Sequence, residues 1–394
     1  MVAAGAPPSF HRDIEPLLQT HCQVCHRPGE IGPMPLLTYE QTRPWARSIR
    51  QALRLRKMPP WFAARGTLEF ENAPRISQEE IARIEEWVRL GAPRGNPADG
   101  PRPVDWIPGW NIGRPDMVVS MRESIRIPAR EEIDYQFVVV PLGLQEDRWV
   151  RAAEIRPGAR AAVHHVVVYV REPESEWLRG DNRRVTTSDI LAIYTPGQGP
   201  MALPAGMAKK IPAGSDLVFQ MHYTPTGREE RDRTSLGLVF TGLPAERVLT
   251  LQMSATDFVI PPGSPDHRVQ VSGTLPGPAR LLSLFPHLHL RGKAFAFERV
   301  EAGGRVETWL EVRPYDFFWQ LAYKLRRPLA LPAGTRLRFT AWYDNSPNNP
   351  RNPDPLQEVR YGEPSTDEMM VGFFDVAVDA SLDKGAFFGL RQRQ

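Results

Sequence analysis

The sequence predicts a multidomain chain: a small all-α domain at the N-terminus, then two all-β antiparallel domains of jelly-roll or sandwich type. Three observations predict it. Apolar residues recur at helical spacing before residue 95. Residues 96–115 are rich in Pro and Gly and lack periodicity, so they read as a linker. Beyond them the pattern changes to short β-branched and aromatic runs separated by turn residues. Length sets the scale, because 394 residues exceed one small domain. Apolar residues are 41% and charged residues 24%, an ordinary globular balance. With 40 Pro and 30 Gly, a helical bundle is disfavoured. Lys plus Arg is 49 and Asp plus Glu is 46, so the net charge of +3 gives no argument for nucleic acid. No run of apolar residues is long enough to span a membrane.

The helical domain is expected over 8–95. Ile14, Leu17 and Leu18 share a helical face, as do Trp45, Ile49 and Leu53 after Pro44. Ser77 followed by Glu80 is a capping box opening a helix that turns Ile81, Ile84, Trp87 and Val88 inward and ends at Gly91. The two cysteines of the chain lie in Cys22-Gln23-Val24-Cys25-His26, the c-type haem attachment pattern. Two thiols three apart can each form a thioether to one haem vinyl, and His26 reaches the iron. A redox pair or half a zinc site is the plainer reading, but no second Cys pair is present. Met58, in Lys57-Met58-Pro59-Pro60-Trp61, is the expected sixth ligand and resembles the distal methionine loop of small cytochromes c. Met34 is its competitor. Residues 8–95 therefore read as a cytochrome c-like domain carrying one covalent haem c.

Strands are expected at 135–140, 163–170, 217–222, 236–240, 295–300, 336–343 and 371–378, divided between a first β domain over 116–242 and a second over 243–394. A weak repeat supports two similar halves: Ile211-Pro212-Ala213-Gly214-Ser215 and Leu331-Pro332-Ala333-Gly334-Thr335 each lead into a strand. His287 and His289 are two apart on a strand, so both imidazoles point to one face and can converge on a metal. His164 and His165 are adjacent, and share a metal only if the strand is bulged there. His222 ends a strand. Any one of these is more simply a structural histidine, and five in two clusters shift the reading to metal. His11, His21 and His267 read as ordinary surface or loop residues.

These motifs, taken in order, resemble the copper type II monooxygenases, the family of peptidylglycine α-hydroxylating monooxygenase and dopamine β-monooxygenase. The matching segments are Val163-His164-His165-Val166, Gln220-Met221-His222-Tyr223, His287-Leu288-His289 with Gly292-Lys293, and Asp367-Glu368-Met369. The resemblance runs from about residue 115 to the end. It implies two coppers, one on His164, His165 and His222 for electron storage. The second, on His287, His289 and Met369, would meet dioxygen and do the chemistry, its soft thioether favouring Cu(I). Met370 is a possible alternative to Met369, although on a strand it should point to the other face. Phe285 and Phe373 stand where the peptide-amidating member has its carboxylate-binding Arg and Tyr, so a peptide C-terminus is not the expected substrate.

The expected activity is hydroxylation of a C–H bond of a small substrate with dioxygen. A redox protein or an ascorbate-like reductant would supply single electrons through the haem. The alternatives are a non-catalytic electron-transfer or copper-binding protein, or a binding jelly roll with structural histidines. Covalent haem attachment implies a periplasmic or exported protein. Met1 to Pro8 has neither a basic nor an apolar leader region, so the expectation is that a signal peptide is missing from this sequence.

Overall fold

A computed structural model describes residues 6–106, 109–131, 133–179, 188–382 and 384–387. The leader reading at Met1–Gly5 and the last residues of the second expected β domain lie outside them. The chain divides into two units, one of residues 1–61 and 72–108, the other of residues 62–71 and 109–394.

In the first unit a helical turn at Phe10–Ile14 runs into the helix Glu15–His21, and further helices span Tyr39–Thr42, Ala46–Arg54 and Gln78–Arg89. Phe10, Ile14, Leu18, Leu53, Ile84 and Trp87 bury into its core. The last helix is held at its start by the reciprocal Ser77–Glu80 capping box. Trp45 departs from the expected apolar face: it precedes its helix and is 42% exposed.

In the second unit each segment read as a strand is one. A four-stranded sheet has the order Gln136–Pro141, Asp216–Tyr223, Val163–Arg171, Ser188–Tyr194. Its inner face, with Val166, Val168 and Phe219, packs on Val150, Ile155 and Leu238 of a nine-stranded sheet. The far half of that long sheet, with Ala279–His287 and Met370–Asp379, packs on a five-stranded sheet through Phe374 against Phe339, at 5.7 Å between ring centroids. Both repeat segments are turns into strands, with Gly214 and Gly334 at φ +72° and +78°, where a side chain would be strained.

The expected fold class is corrected. The chain is mostly β, its helices are short, and the described residues contain no large all-α domain. Pro28, Gly29, Gly32, Pro33 and Pro35, then Pro59 and Pro60, interrupt the N-terminal segment, so helical faces stop after one to three turns. Ala63–Arg65 leaves that segment altogether and pairs antiparallel with Val306–Val312. The two β halves are not self-standing either. The nine-stranded sheet runs through both, joined where Glu246–Ala255 pairs parallel with Met207–Ile211. No helix among the described residues is long and apolar enough to cross a membrane.

This packing is tight beside Gly372. A Cβ there would meet Phe339 at 2.5 Å and Phe295 at 3.0 Å. Gly372→Ala is expected to lower stability by about 1–3 kcal/mol in urea unfolding. An unchanged midpoint would show that the two rings yield without cost.

Candidate metal centre

His164, His165 and His222 come together. Each offers a ring nitrogen, and these atoms lie within 4.8 Å of one another, with all three side chains buried. The strand geometry explains how two adjacent histidines share a face. His222 pairs with His165 but Tyr223 pairs with Val163, so His164 is the extra residue of a bulge.

The outer nitrogens of these rings are each held. His164 Nε2 donates to Phe317 O at 3.0 Å. His165 Nε2 bonds Tyr135 Oη at 3.3 Å, and His222 Nε2 bonds Ser365 Oγ at 3.2 Å. Tyr135 also stacks on His222 at 4.6 Å, and Phe317 stacks on His164 at 4.1 Å. The inner nitrogens are left facing inward. His164 Nδ1 and His165 Nδ1 are 3.1 Å apart, and His222 Nδ1 is buried with no hydrogen-bond partner.

His287 and His289 use the opposite nitrogens. His287 Nδ1 donates to Gln320 Oε1 at 2.8 Å, and His289 Nδ1 donates to Asp367 O at 3.3 Å. Their Nε2 atoms are thereby left for a ligand, and His289 Nε2 is buried and unpartnered. Antiparallel register pairs Phe285 with Phe373 and His287 with Val371. The ladder ends there, and His289 and Met369 each lie two residues beyond it, past the paired His287 and Val371. Met369 packs beside Val167, Phe285 and Val371, while Met370, on the alternate face, is fully buried.

The two ligand sets are not separated. The His165 and His287 rings meet edge to face at 5.4 Å, close to the 5.3 Å between His287 and His289. One turn serves both: Phe317 O accepts from His164, and Gln320 Nε2 donates to the same oxygen at 3.2 Å while Gln320 Oε1 holds His287.

Burial sets the protonation of the cluster. It pushes His164 and His287 down to about 4. It holds His165, His222 and His289 well below the ordinary imidazole range, and the neighbouring imidazoles add to the effect. All five rings are therefore neutral at pH 7, the form that ligates metal.

Sequence reasoning missed the supporting residues Tyr135, Phe317, Gln320, Ser365 and Glu368. The last sits inside a motif that was read only for its methionine. Its carboxylate is fully buried and accepts from the backbone N–H groups of His289 at 2.9 Å and Arg291 at 2.6 Å. Burial pushes it up to about 8, against those hydrogen bonds and the Arg291 charge.

Beside the histidine face lies a cavity of about 150 Å³ lined by Ile190, Ile193, Phe285, Phe373, Lys209 and Asp375. The Phe285 and Phe373 rings are 5.7 Å apart, one side-chain row from His287.

In the first unit, the backbone N–H of His26 bonds Cys22 O at 2.9 Å, which brings the two thiols and the imidazole onto one turn. His26 Nδ1 donates to Met34 O at 3.1 Å, so its Nε2 is the nitrogen presented to a ligand and the Met34 backbone lies behind the ring. A Cβ at Gly32 would meet Cys25 O and His26 Nδ1 at 2.7 Å, so the chain passes this turn only as glycine. Cys22 and Cys25 are free thiols, and burial pushes Cys22 up to about 12. Met58 is half-buried, whereas Met34 packs against the helical core.

No family model and no curated protein matches the chain. Among solved structures it is similar to the major capsid protein P2 from bacteriophage PM2, at 7% identity over 68% of this chain and 99% of that one, with a TM-score of 0.28. PBCV-1 VP54, fitted into a reconstruction of the virophage Sputnik, is 8% identical over 68% and 97%, with a TM-score of 0.27. The STIV MCP is 8% identical over 71% and 98%, with a TM-score of 0.26. Likeness at these scores carries no argument. Membership of the copper type II monooxygenases with an attached cytochrome c domain, expected from the motifs, is corrected accordingly: four short motifs in order are too few residues to make a family, and no match supports them.

The neutral imidazoles give a pH dependence. Their folded-state values lie below the unfolded value of about 6.5, so the unfolded chain binds more protons below that pH. Stability of the metal-free protein is expected to be full above pH 6.5 and to fall as pH drops towards 4, by up to about 1.4 kcal/mol per pH unit for each proton taken up. Urea unfolding as a function of pH measures this, and a flat profile over that window would refute the burial argument.

Proposed function

We propose that this chain is a copper-dependent monooxygenase that hydroxylates a C–H bond of a small substrate with dioxygen, drawing single electrons through a haem c on Cys22, Cys25 and His26. One observation carries the reading: five buried imidazoles each have one nitrogen held by a hydrogen bond, and three of them, His164, His165 and His222, bring ring nitrogens within 4.8 Å of one another. Nδ1 atoms 3.1 Å apart suit adjacent ligands on one metal at bond lengths of about 2.0–2.1 Å. Imidazole with thioether, and no carboxylate among the inward groups, fits copper better than a hard cation.

His164, His165 and His222 would hold one copper through Nδ1. His287 and His289 through Nε2, with Met369, would hold the other. Bound copper supplies one-electron transfer and activation of dioxygen. Hydroxylation consumes two electrons and two protons besides the substrate C–H bond, and yields alcohol and water. A redox protein or an ascorbate-like reductant would donate them. The protein's own contribution is to exclude water, to fix the ring tautomers through Phe317, Gln320 and Asp367, and to seat a small substrate in the cavity beside Phe285 and Phe373. In the first unit, His26 Nε2 would meet the iron and Met58 would be the sixth ligand, since the Met34 backbone lies behind the imidazole. A covalent haem c would go with a periplasmic or exported mature protein.

Protein matured with haem attachment machinery should contain one haem and two coppers per chain. His164→Ala should lose one copper and His287→Ala the other. Haem with no copper would refute the reading. Copper and haem that cycle without ever oxidising a substrate would leave a non-catalytic electron-transfer protein.

Met369→Ala should abolish hydroxylation while the copper on His164, His165 and His222 is retained, as metal analysis would show. Full turnover would remove Met369 from the centre. Met58→Ala should slow reduction of copper by the donor at unchanged copper content, read by stopped-flow spectroscopy, and an unchanged rate would refute the relay.

A further inference from the structure

We infer that the outward face of the helix Ala46–Arg54, with the turns on either side of it, is a docking surface for an acidic protein. This surface belongs to the first unit, and its charge is independent of any copper or haem.

Residues 41–68 contain no Asp or Glu. Within them Arg43, Arg47, Arg50, Arg54, Arg56 and Lys57 fall in fifteen residues. Arg47, Arg50 and Arg54 are three and four apart on the helix, so they share one face. Ala46, Ile49 and Leu53 pack into the core from the other. Arg43 stands four residues before this row and Lys57 three after it, which carries the positive charge past both ends of the helix.

Arg43, Arg47, Arg54, Arg56 and Lys57 are exposed, and Arg50 is half-buried. Among the described residues one of the six makes an ion pair, Arg54 Nε with Glu85 Oε1 at 3.4 Å. Like charges three and four apart destabilise a helix, whereas an acid at position 47 would pair with Arg43 and Arg50. The row thus works against the helix that bears it, while an ordinary solvated face mixes its signs.

The surroundings select the partner. Outside these six cations the first unit has seven Lys and Arg against ten Asp and Glu. Four of the acids, Glu79, Glu80, Glu85 and Glu86, lie on the helix Gln78–Arg89, which packs on Ala46–Arg54. A nine-residue helix is about 14 Å long. A nucleic-acid backbone or an anionic membrane extends well beyond that and meets the neighbouring carboxylates. A compact acidic patch on a folded protein matches the row and ends with it. Trp45 and Leu55 flank the helix and are 42% and 55% exposed, which gives such a partner apolar contact beside the charges. Arg and Trp are among the side chains enriched at the centres of protein interfaces.

The test is isothermal titration calorimetry on the full-length protein with four probes. They are a helical peptide with Glu at matching three- and four-residue spacing, a peptide of the same composition with its Glu residues scrambled, oligothymidylate, and phosphatidylglycerol vesicles. The matched peptide is expected to bind about tenfold tighter than each of the others, with an affinity that falls as salt rises. Arg47→Glu is expected to abolish that preference while the thermal unfolding midpoint is kept or raised, since it replaces two repulsive pairs by attractive ones. No binding, equal binding of the two peptides, or an unchanged affinity in Arg47→Glu would overturn the inference and leave a solvated charged face. Tighter binding of oligothymidylate or of vesicles would overturn it in favour of a nucleic acid or a membrane. The probes are compared on the unaltered chain, so the result stands even if the variant does not fold.

Discussion

The second unit is organised around the removal of five imidazoles from water. A buried polar nitrogen without a partner is costly, and a buried charge more so. The protein meets the cost on the outer side of the cluster, where Phe317, Tyr135, Ser365, Gln320 and Asp367 take one nitrogen of each ring. It does not meet it on the inner side. With the His164 proton committed to Phe317 O, its Nδ1 presents a lone pair towards His165 Nδ1. His165 Nδ1–H can donate to that lone pair while Tyr135 Oη donates to His165 Nε2, so the atoms of the cluster left without a partner are His222 Nδ1 and His289 Nε2.

The sheets serve this constraint. The bulge at His164 turns two neighbours to one side, and the ladder from Phe285 to His287 brings the second pair onto the same sheet face as Val371 and Phe373. Glu368 then fixes where that strand ends. By accepting from the N–H groups of His289 and Arg291, its carboxylate forms the buried counterpart of a turn that no regular ladder could satisfy. Tyr343 adds a hydrogen bond to Met369 O at 2.8 Å, so the backbone of the methionine is held from one side and that of the histidine from the other.

Strands and candidate ligands were legible in the sequence because both rest on short-range rules. Alternation marks a strand within six or seven residues, and His287-Leu288-His289 has its common face by the same rule. The histidine bulge was legible only as a condition, since it depends on the pairing of Val163–Arg171 with Asp216–Tyr223, about fifty residues away. What was not legible is the joining of distant elements. The parallel pairing of Glu246 with Met207 merges two halves that read as separate domains, and Ala63–Arg65 crosses into a sheet from a segment that reads as helical. Phe317 and Gln320 carry no signal at all, for a backbone carbonyl can be offered by any residue and the amide of Gln320 is one of many. Motif order suggested a family that no match supports, because short motifs record chemistry that unrelated folds can reach.

One face of the long sheet relates the cavity to the centre. Along Ala279–His287 and its partner strand, the rows Ser283/Asp375, Phe285/Phe373 and His287/Val371 follow one another on a single side. Alternate residues of a strand are about 6.6–6.8 Å apart. A molecule seated against Phe285 and Phe373 is therefore one row from His287. The polar row behind it is already satisfied, with Lys209 Nζ bonded to Ile190 O and Thr250 Oγ1, and Asp375 accepting from Thr250 and Ser283. Burying unmatched donors or charge against that row alone would be costly. A largely apolar molecule loses nothing there, and a space of about 150 Å³ suits one the size of a benzene ring. The same cavity is lined elsewhere by Glu71, Gln198, Lys324 and Arg326, so its apolar side is the one that faces the histidine row.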